Sequence, residues 1–476
     1  MKLPVLFQRP AAVLLSVAAA ALMAACASSS GIDAKANRID PATVGLASGP
    51  AEVVPAVRAQ WWRDLGDASL DALVDRALAG NPNLGVAQSR LDRANAAIAG
   101  QEADGGVKVG FSADTTRQHF SANSIYPAPL GGSTRTLANA QFAGSWEFDF
   151  FGRHRASIDA AVGGARAAEA ELAAARQLLA TQVVQAYVQL ALLRDQRVVA
   201  ERALQQRQEL LGLVRQRVSA GLDTRIELRQ GEGALPDTRQ QIEQIDEKII
   251  ATRLVLAALT AQPPAAVSGL APSLAALKSI ALPQAVPADL LGRRADIAAA
   301  RWRIESATQG VQAAKAQFYP NVNLNIFAGL ASIGLDELVK SGSRQYGIGP
   351  AIHLPIFDSG ALRANLGVRT ADLDTAVQTY NVAVVDAVRE TADQLNTLQS
   401  VARQQAQQVQ AQSAAESAYD IARQRYRAGL TNQLVLIQAE TAVLSQRRLA
   451  LDLQARALAA QAALARALGG GYAPQA

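Results

Sequence analysis

Proline is missing from positions 130 to 235 and again from 356 to 473, and across both stretches apolar residues recur at helical spacing. A proline inside a helix removes a hydrogen bond and clashes with the preceding turn, so runs this long without one permit very long helices. The first run predicts a helix from Arg153 to Ser219, about 66 residues and roughly 100 Å at 1.5 Å per residue. Two seven-residue series run through it: Leu172, Leu179, Ala186, Leu193, Ala200, and Val183, Leu190, Arg197, Leu204, Leu211, Val218. Ile437, Leu444, Leu451 and Leu458 keep the same step near the C-terminus. Sustained heptads imply left-handed packing against neighbouring helices. That pattern alone fits a plain coiled-coil rod as well as the wall of a tunnel. Half of the residues are hydrophobic but only 5% aromatic, and much of the apolar content is alanine, the strongest helix former.

Four short stretches do not belong in a rod, because they alternate with period two. They are Val107, Val109, Phe111 and Ala113; Phe142, Gly144, Trp146, Phe148 and Phe150; Val322, Leu324 and Ile326; and Tyr346, Ile348, Pro350, Ile352 and Leu354. Gln141, Ser145, Glu147 and Asp149 take the other face of the second, Asn321, Asn323 and Asn325 that of the third, and Gln345 and His353 that of the fourth. A membrane barrel strand alternates in this way, and so does a half-buried soluble hairpin. Four strands cannot close a barrel in lipid, where an open edge leaves backbone groups unpaired, and the smallest barrels have about eight. Several copies would have to share one barrel. Two would supply eight strands and three twelve, the latter leaving more room for a lumen lined by the asparagines.

The N-terminus carries an export signal. Lys2 and Arg9 precede an apolar run from Ala11 to Ala25, too short for a membrane span, and small residues lead into Cys26, the chain's single cysteine. Cleavage before Cys26 would leave a thiol able to carry lipid, although Met23 stands where a lipoprotein signal usually has leucine. With no second cysteine, no intramolecular disulfide forms and the fold rests on packing. Loss of Lys2 and Arg9 takes 46 basic residues to 44 against 41 acidic, a net of +3. The arginines are interleaved with glutamate and glutamine along helices, which reads as solvated surface rather than a nucleic-acid groove. His119, His154 and His353 have no metal-ligand spacing, and Gly347-Ile348-Gly349-Pro350 lacks the third glycine and helix start of a phosphate loop. No active site, cofactor or metal is expected.

The chain also repeats. Positions 215–222 read RQRVSAGL and 423–430 read RQRYRAGL, with Gly221 and Gly429 placed to turn the chain between helices. The expected organisation is a signal peptide over 1–25 and a lipid-anchored extension over 26–60. A first repeat over 61–260 has its hairpin at 107–150 and its tip near 221. A proline-rich linker over 261–287 leads to a second repeat over 288–476, with its hairpin at 321–354 and its tip near 429.

Further motifs fall in order along nearly the whole chain: Trp61-Trp62-Arg63, the run Asp71 to Asn81, WEFDFFGR over 146–153, LLGRRADI over 290–297, AQFYPNVNL over 316–324, LPIFDSG over 354–360 and ALGGGY over 467–472. With these the chain resembles the TolC-like outer-membrane efflux factors, in their lipoprotein, NodT-type branch. The resemblance implies a mainly helical fold with a membrane β portion: a homotrimer whose long helices form an α-barrel and whose four strands per chain share a 12-stranded β-barrel. It implies a passive exit duct in contact with outer-membrane lipid, fed by an inner-membrane pump through a periplasmic adaptor. Gly221, Leu222, Gly429 and Leu430 would meet the adaptor. The family narrows its tunnel with acids six positions after each tip glycine; here these positions hold Glu227 and Val435, and a further acidic position holds Gln438. Tyr426 matches a family tyrosine that bonds the first-half acid when the gate is shut, whereas the family's arginine partner falls at Thr431. Glu227 and Tyr426 are thus the expected gate residues. Ala295 stands where the family usually has proline, and Pro236 is placed to kink the helix after the first tip. A lipid-tethered coiled-coil scaffold and an exit duct for type I protein secretion are the alternative functions.

Overall fold

A computed structural model of the protein describes residues 29–44, 57–282, 290–355 and 359–473. The export signal and Cys26, residues 283–287 of the expected linker and residues 356–358 of the LPIFDSG stretch lie outside the described residues. The chain forms two units. One comprises Met1–Arg38, Leu91–Ala167 and Ala300–Tyr380, and the other Ile39–Arg90, Ala168–Ala299 and Asn381–Ala476.

Seven principal helices run α1 (Ala68–Gly80), α2 (Pro82–Asp104), α3 (Arg153–Ser219), α4 (Arg225–Leu259), α5 (Ala295–Ala316), α6 (Ser359–Arg427) and α7 (Gln433–Ala467). The strands β1 (Lys108–His119) and β2 (Thr134–Phe148) precede α3, and β3 (Asn321–Ile333) and β4 (Arg344–His353) precede α6. Helix α3 is 67 residues long and α6 is 69. Pro236 sits inside α4, and Ala295 opens α5. Among the described residues no helix is long and apolar enough to cross a membrane.

In the first unit the four strands make one antiparallel sheet in the order β1-β2-β3-β4, so among the described residues the outer edges of β1 and β4 have no strand partner. All four strands extend beyond or shift against their expected bounds. Past Ala113, β1 continues through Asp114, Thr115, Thr116, Arg117 and Gln118, which are exposed, so no apolar pattern marks them. In the same unit α3 approaches α5 closely at Gly163, where a Cβ would stand 2.9 Å from the backbone nitrogen of Ser306. The Ser306 hydroxyl in turn donates to the Ala160 carbonyl at 2.7 Å. Val311, Ala314, Phe318 and Leu366 are buried together nearby.

In the second unit the buried side chains of Trp61, Tyr187 and Arg294 have hydrogen-bonded polar tips. Trp61 is fully buried, with Nε1 donating to Gln177 Oε1 at 3.2 Å. Asp67 caps α1 by accepting from the Ser69 and Leu70 amides, and also accepts from the Tyr187 hydroxyl at 2.8 Å. Burial, and then that carboxylate, raises the Tyr187 pKa. Buried Arg294 donates to Asp296, to Glu390 and to the Ala467 carbonyl, tying the start of α5 to α6 and to the end of α7. Burial opposes ionisation of Asp296, but the Arg294 fork outweighs it and lowers the pKa.

Candidate channel wall and helix tips

Register assigns every strand residue to a face. Phe111, Phe142, Ala328 and Tyr346 stand in one row across the sheet, and Val109, Gly144, Ile326 and Ile348 in another. Two residues along each strand return to the same face, so both rows share it. Trp146, Leu324 and Pro350 join them, as do Phe148, Val322 and Ile352. Tyr346 is 86% exposed and Ile348 74%. A sheet face this apolar and this uncovered is costly in water and matches a lipid-facing band.

The opposite face carries the sheet's amide cluster. Ser112, Gln141, Gly329 and Gln345 form one row there, and Ser145, Asn325 and Gly349 another, with Gly110, Ala143, Phe327 and Gly347 between them. The Gln345 amide donates to Asn139 Oδ1 at 2.9 Å and to Gln141 Oε1 at 3.1 Å, while Asn139 donates to Asp114 at 3.2 Å. At the end of β2, Arg153 clamps Glu147 with bonds as short as 2.6 Å, and Phe151 stacks on Tyr319 at 4.7 Å.

In the second unit both tips turn in the same way. Gly221 has φ +75° and Gly429 φ +72°, the left-handed region that glycine enters without a Cβ penalty. Leu222 N bonds the Arg217 carbonyl at 2.8 Å and Gly221 N the Val218 carbonyl at 3.1 Å. Leu430 repeats the first bond to Arg425 at 2.8 Å, and Gly429 the second to Tyr426 at 3.0 Å. This double closure satisfies carbonyls at the end of a helix. Leu222 and Leu430 are left 66% and 68% exposed, with Ile226 and Leu434 exposed beside them in the sequence.

The next helix starts differently in the two halves. The Thr224 hydroxyl accepts from the Ile226 amide, and the Glu227 carboxylate takes the Thr224 amide at 2.9 Å as well as the Thr224 hydroxyl. That reciprocal box satisfies amides that a helix start leaves orphaned. The Thr224 hydroxyl, ahead of the backbone bonds, lowers the Glu227 pKa. In the second half Asn432 caps α7 alone, accepting from the Val435 amide at 3.2 Å. Glu227 and Val435 are therefore equivalent third residues of their helices, and the acid missing from the second half is a missing capping partner.

Tyr426 does not bond Glu227 within the chain. It is fully buried with Val214, Ala422 and Leu436, and its hydroxyl donates to Asp223 Oδ2 at 2.9 Å. Arg217 grips the same carboxylate through Nε at 2.9 Å and Nη2 at 3.0 Å, and its guanidinium lies 5.0 Å from the Tyr426 ring centre. Glu227 is committed to the helix start, where its Oε2 takes both the Thr224 amide and the Thr224 hydroxyl, whereas Asp223 lies before the cap. The Arg217 fork, against the cost of burial, holds the Asp223 pKa below the usual carboxylate value. Burial, and then Asp223, pushes that of Tyr426 up to about 12. Thr431 stands where the family has its arginine, and the guanidinium beside Tyr426 here is that of Arg217, four residues before Gly221. The sequence did hold a signal: Thr224-Arg225-Ile226-Glu227 is a capping-box pattern that commits the glutamate.

Further into the helices a second polar cluster joins α3, α4 and α7. Arg207 Nε donates to Glu440 at 3.2 Å, and its Nη1 to the Thr238 hydroxyl at 2.7 Å. Burial raises the Glu440 pKa against the pull of Arg207.

A two-faced sheet with open edges, joined in sequence to helices of nearly seventy residues that end in glycine-closed tips, defines a channel-forming membrane subunit rather than a catalyst. Residues 73–262 and 286–470 match the family described as Outer membrane efflux protein, and the chain belongs to that family. It is 32% identical over 423 residues to the "Multidrug resistance outer membrane protein MdtQ" of Escherichia coli O6:H1, covering 87% of this chain and 88% of that protein. MdtP of the same strain, also described as a multidrug resistance outer membrane protein, is 32% identical over 440 residues, covering 87% of each chain. Among solved structures, the outer membrane protein VceC of Vibrio cholerae superposes with a TM-score of 0.82 at 35% identity, covering 87% of this chain and 99% of that one. The protein is an outer-membrane efflux channel component, and the members of its family are passive channels, not enzymes.

Proposed function

We propose that three copies of this chain assemble into a duct that crosses the outer membrane as a 12-stranded barrel and continues into the periplasm as a tunnel of helices. The observation that carries this reading is the sheet, apolar and exposed on one face, bearing a hydrogen-bonded amide cluster on the other, and without a strand partner at either edge among the described residues. Pairing β4 of one copy with β1 of the next satisfies the edges and encloses the amide-rich face. Cys26 is the residue that would carry an anchoring lipid. The regions 61–260 and 288–476 act as the two repeats of each subunit.

The exposed leucines at Leu222 and Leu430, presented by Gly221 and Gly429, form the docking end for a periplasmic adaptor, which couples the duct to an inner-membrane pump. The inner end is held shut by the Arg217–Asp223–Tyr426 latch, which ties the first tip to the helix leading into the second. Glu227 supports the latch indirectly by fixing the turn that carries Asp223. Tyr426→Phe, with the protein inserted in planar bilayers, raises the closed-state conductance while preserving insertion. Unchanged conductance contradicts the latch, and a protein that inserts without forming a pore contradicts the duct.

A further inference from the structure

In the second unit, away from the tip turns in sequence, two arginines share a single acceptor. Arg194 of α3 donates through Nη1 to the Leu270 carbonyl at 3.4 Å, and Arg253 of α4 donates through Nη2 to the same oxygen at 2.9 Å. No carboxylate pairs with either guanidinium among the described residues. Asp195, beside Arg194 in sequence, is engaged by the Ser273 hydroxyl at 3.2 Å and the Leu274 amide at 2.8 Å. Asp246, two turns before Arg253, is held by Arg197 at 2.6 Å. The Arg253 Nε is buried and has no hydrogen-bond acceptor. Burial, and then the neighbouring Arg194 charge, lowers the Arg253 pKa, with Asp246 only partly offsetting them.

Two cations brought together without a counter-ion, one of them with an idle buried donor, form an arrangement that a bound anion completes. A guanidinium carries five N–H donors, and the Leu270 carbonyl occupies one on each side chain. Guanidinium forks match the oxygen geometry of carboxylates and phosphates. A carboxylate offers two oxygens for two guanidinium groups to share, whereas a tetrahedral oxyanion has enough oxygens to give each guanidinium its own pair. We propose that Arg194 and Arg253 together form a binding site for a phosphate-type oxyanion, held through the guanidinium donors that the Leu270 carbonyl does not take. The ligand is either free phosphate or the phosphodiester of a lipid headgroup, which share this chemistry.

The test is calorimetric titration of inorganic phosphate, at constant ionic strength set with chloride, into the purified full-length protein in detergent. Saturable binding is expected, weakened at least tenfold in Arg253→Gln and in Arg194→Gln. In phosphate-free buffer Arg253→Gln should melt no lower than the wild type, because the substitution removes a like-charge neighbour. The same titration with glycerophosphoglycerol, the soluble headgroup of an anionic phospholipid, separates the sources: tighter binding of the diester assigns a lipid, tighter binding of phosphate the free ion. If neither ligand binds saturably, or if both glutamine variants bind as the wild type does, the proposal is overturned. Should one glutamine variant fail to fold, the other and Arg253→Lys carry the comparison, with the lysine expected to bind more weakly because it lacks the fork.

Discussion

In the sheet, Phe111, Phe142, Tyr346 and Ile348 stand uncovered on one face, whereas at the tips Tyr426 is fully buried and its hydroxyl is bonded to an aspartate already gripped by an arginine. The sheet of one chain is thus unsatisfied in two ways, through apolar area that water should not meet and through two open edges. The Arg217–Asp223–Tyr426 cluster is satisfied within one chain. Under the proposed function the first region reports on assembly, and the second on a closed state that the subunit holds and later releases.

Substitutions can break or sharpen this contrast. The largest effect is expected where a buried helical ion pair loses one partner. Glu440→Ala leaves Arg207 without its carboxylate and costs roughly 3 to 5 kcal/mol, read by thermal melting. Glu440→Gln keeps an acceptor and mimics the neutral form that burial favours, and costs less. Equal losses in the two variants would contradict the assigned pairing. Next is Ile348→Arg. The side chain is largely exposed within the chain, so the subunit loses little packing, but a cation on a barrel's lipid face near the midplane costs about 2 to 4 kcal/mol. The expected result is a reduced inserted, heat-modifiable fraction in outer-membrane preparations. Undiminished insertion would mean that this face does not meet lipid.

At the tips the effects are smaller. Asp223→Asn retains the Tyr426 contact but loses the charged fork of Arg217, worth roughly 1.5 to 3 kcal/mol, and raises closed-state conductance in bilayers. Because the folded pKa of Asp223 is depressed, its contribution is fully present above the unfolded value and is lost as pH falls through the folded one. Channel opening should therefore increase on acidification below about pH 4, and Asp223→Asn should remove that component. The smallest change is expected for Glu227→Gln. Glutamine preserves the capping box through its amide oxygen, so melting and conductance should stay close to wild type, whereas Glu227→Ala frees the Thr224 amide and loosens the turn. A larger conductance change for Glu227→Gln than for Asp223→Asn would move the gate back to the glutamate.

The helices were legible because their causes are local. A proline-free heptad pattern from Arg153 to Ser219 specifies α3 at both ends, and RQRxxAGL specifies both turns. The strands were legible where they alternate, from Val109 to Ala113 and from Val322 to Ile326, but not where they continue through polar, exposed residues such as Thr115 to Gln118. There the hydrogen-bonded partner, not the side-chain pattern, keeps the chain extended. The tip cluster was half legible: Tyr426 was marked by resemblance, but its hydroxyl bonds Asp223 and not Glu227, whose Oε2 is taken by Thr224 at the helix start. Asp223 and Arg217 meet across the glycine turn, and only the folded turn brings them together.

The sheet's open edges admit one direct test. Native mass spectrometry of the detergent-solubilised, folded protein should give three chains per particle, with no folded species of lower order as detergent is raised to the point of unfolding. A monomer that keeps its strand content by circular dichroism would contradict the shared barrel.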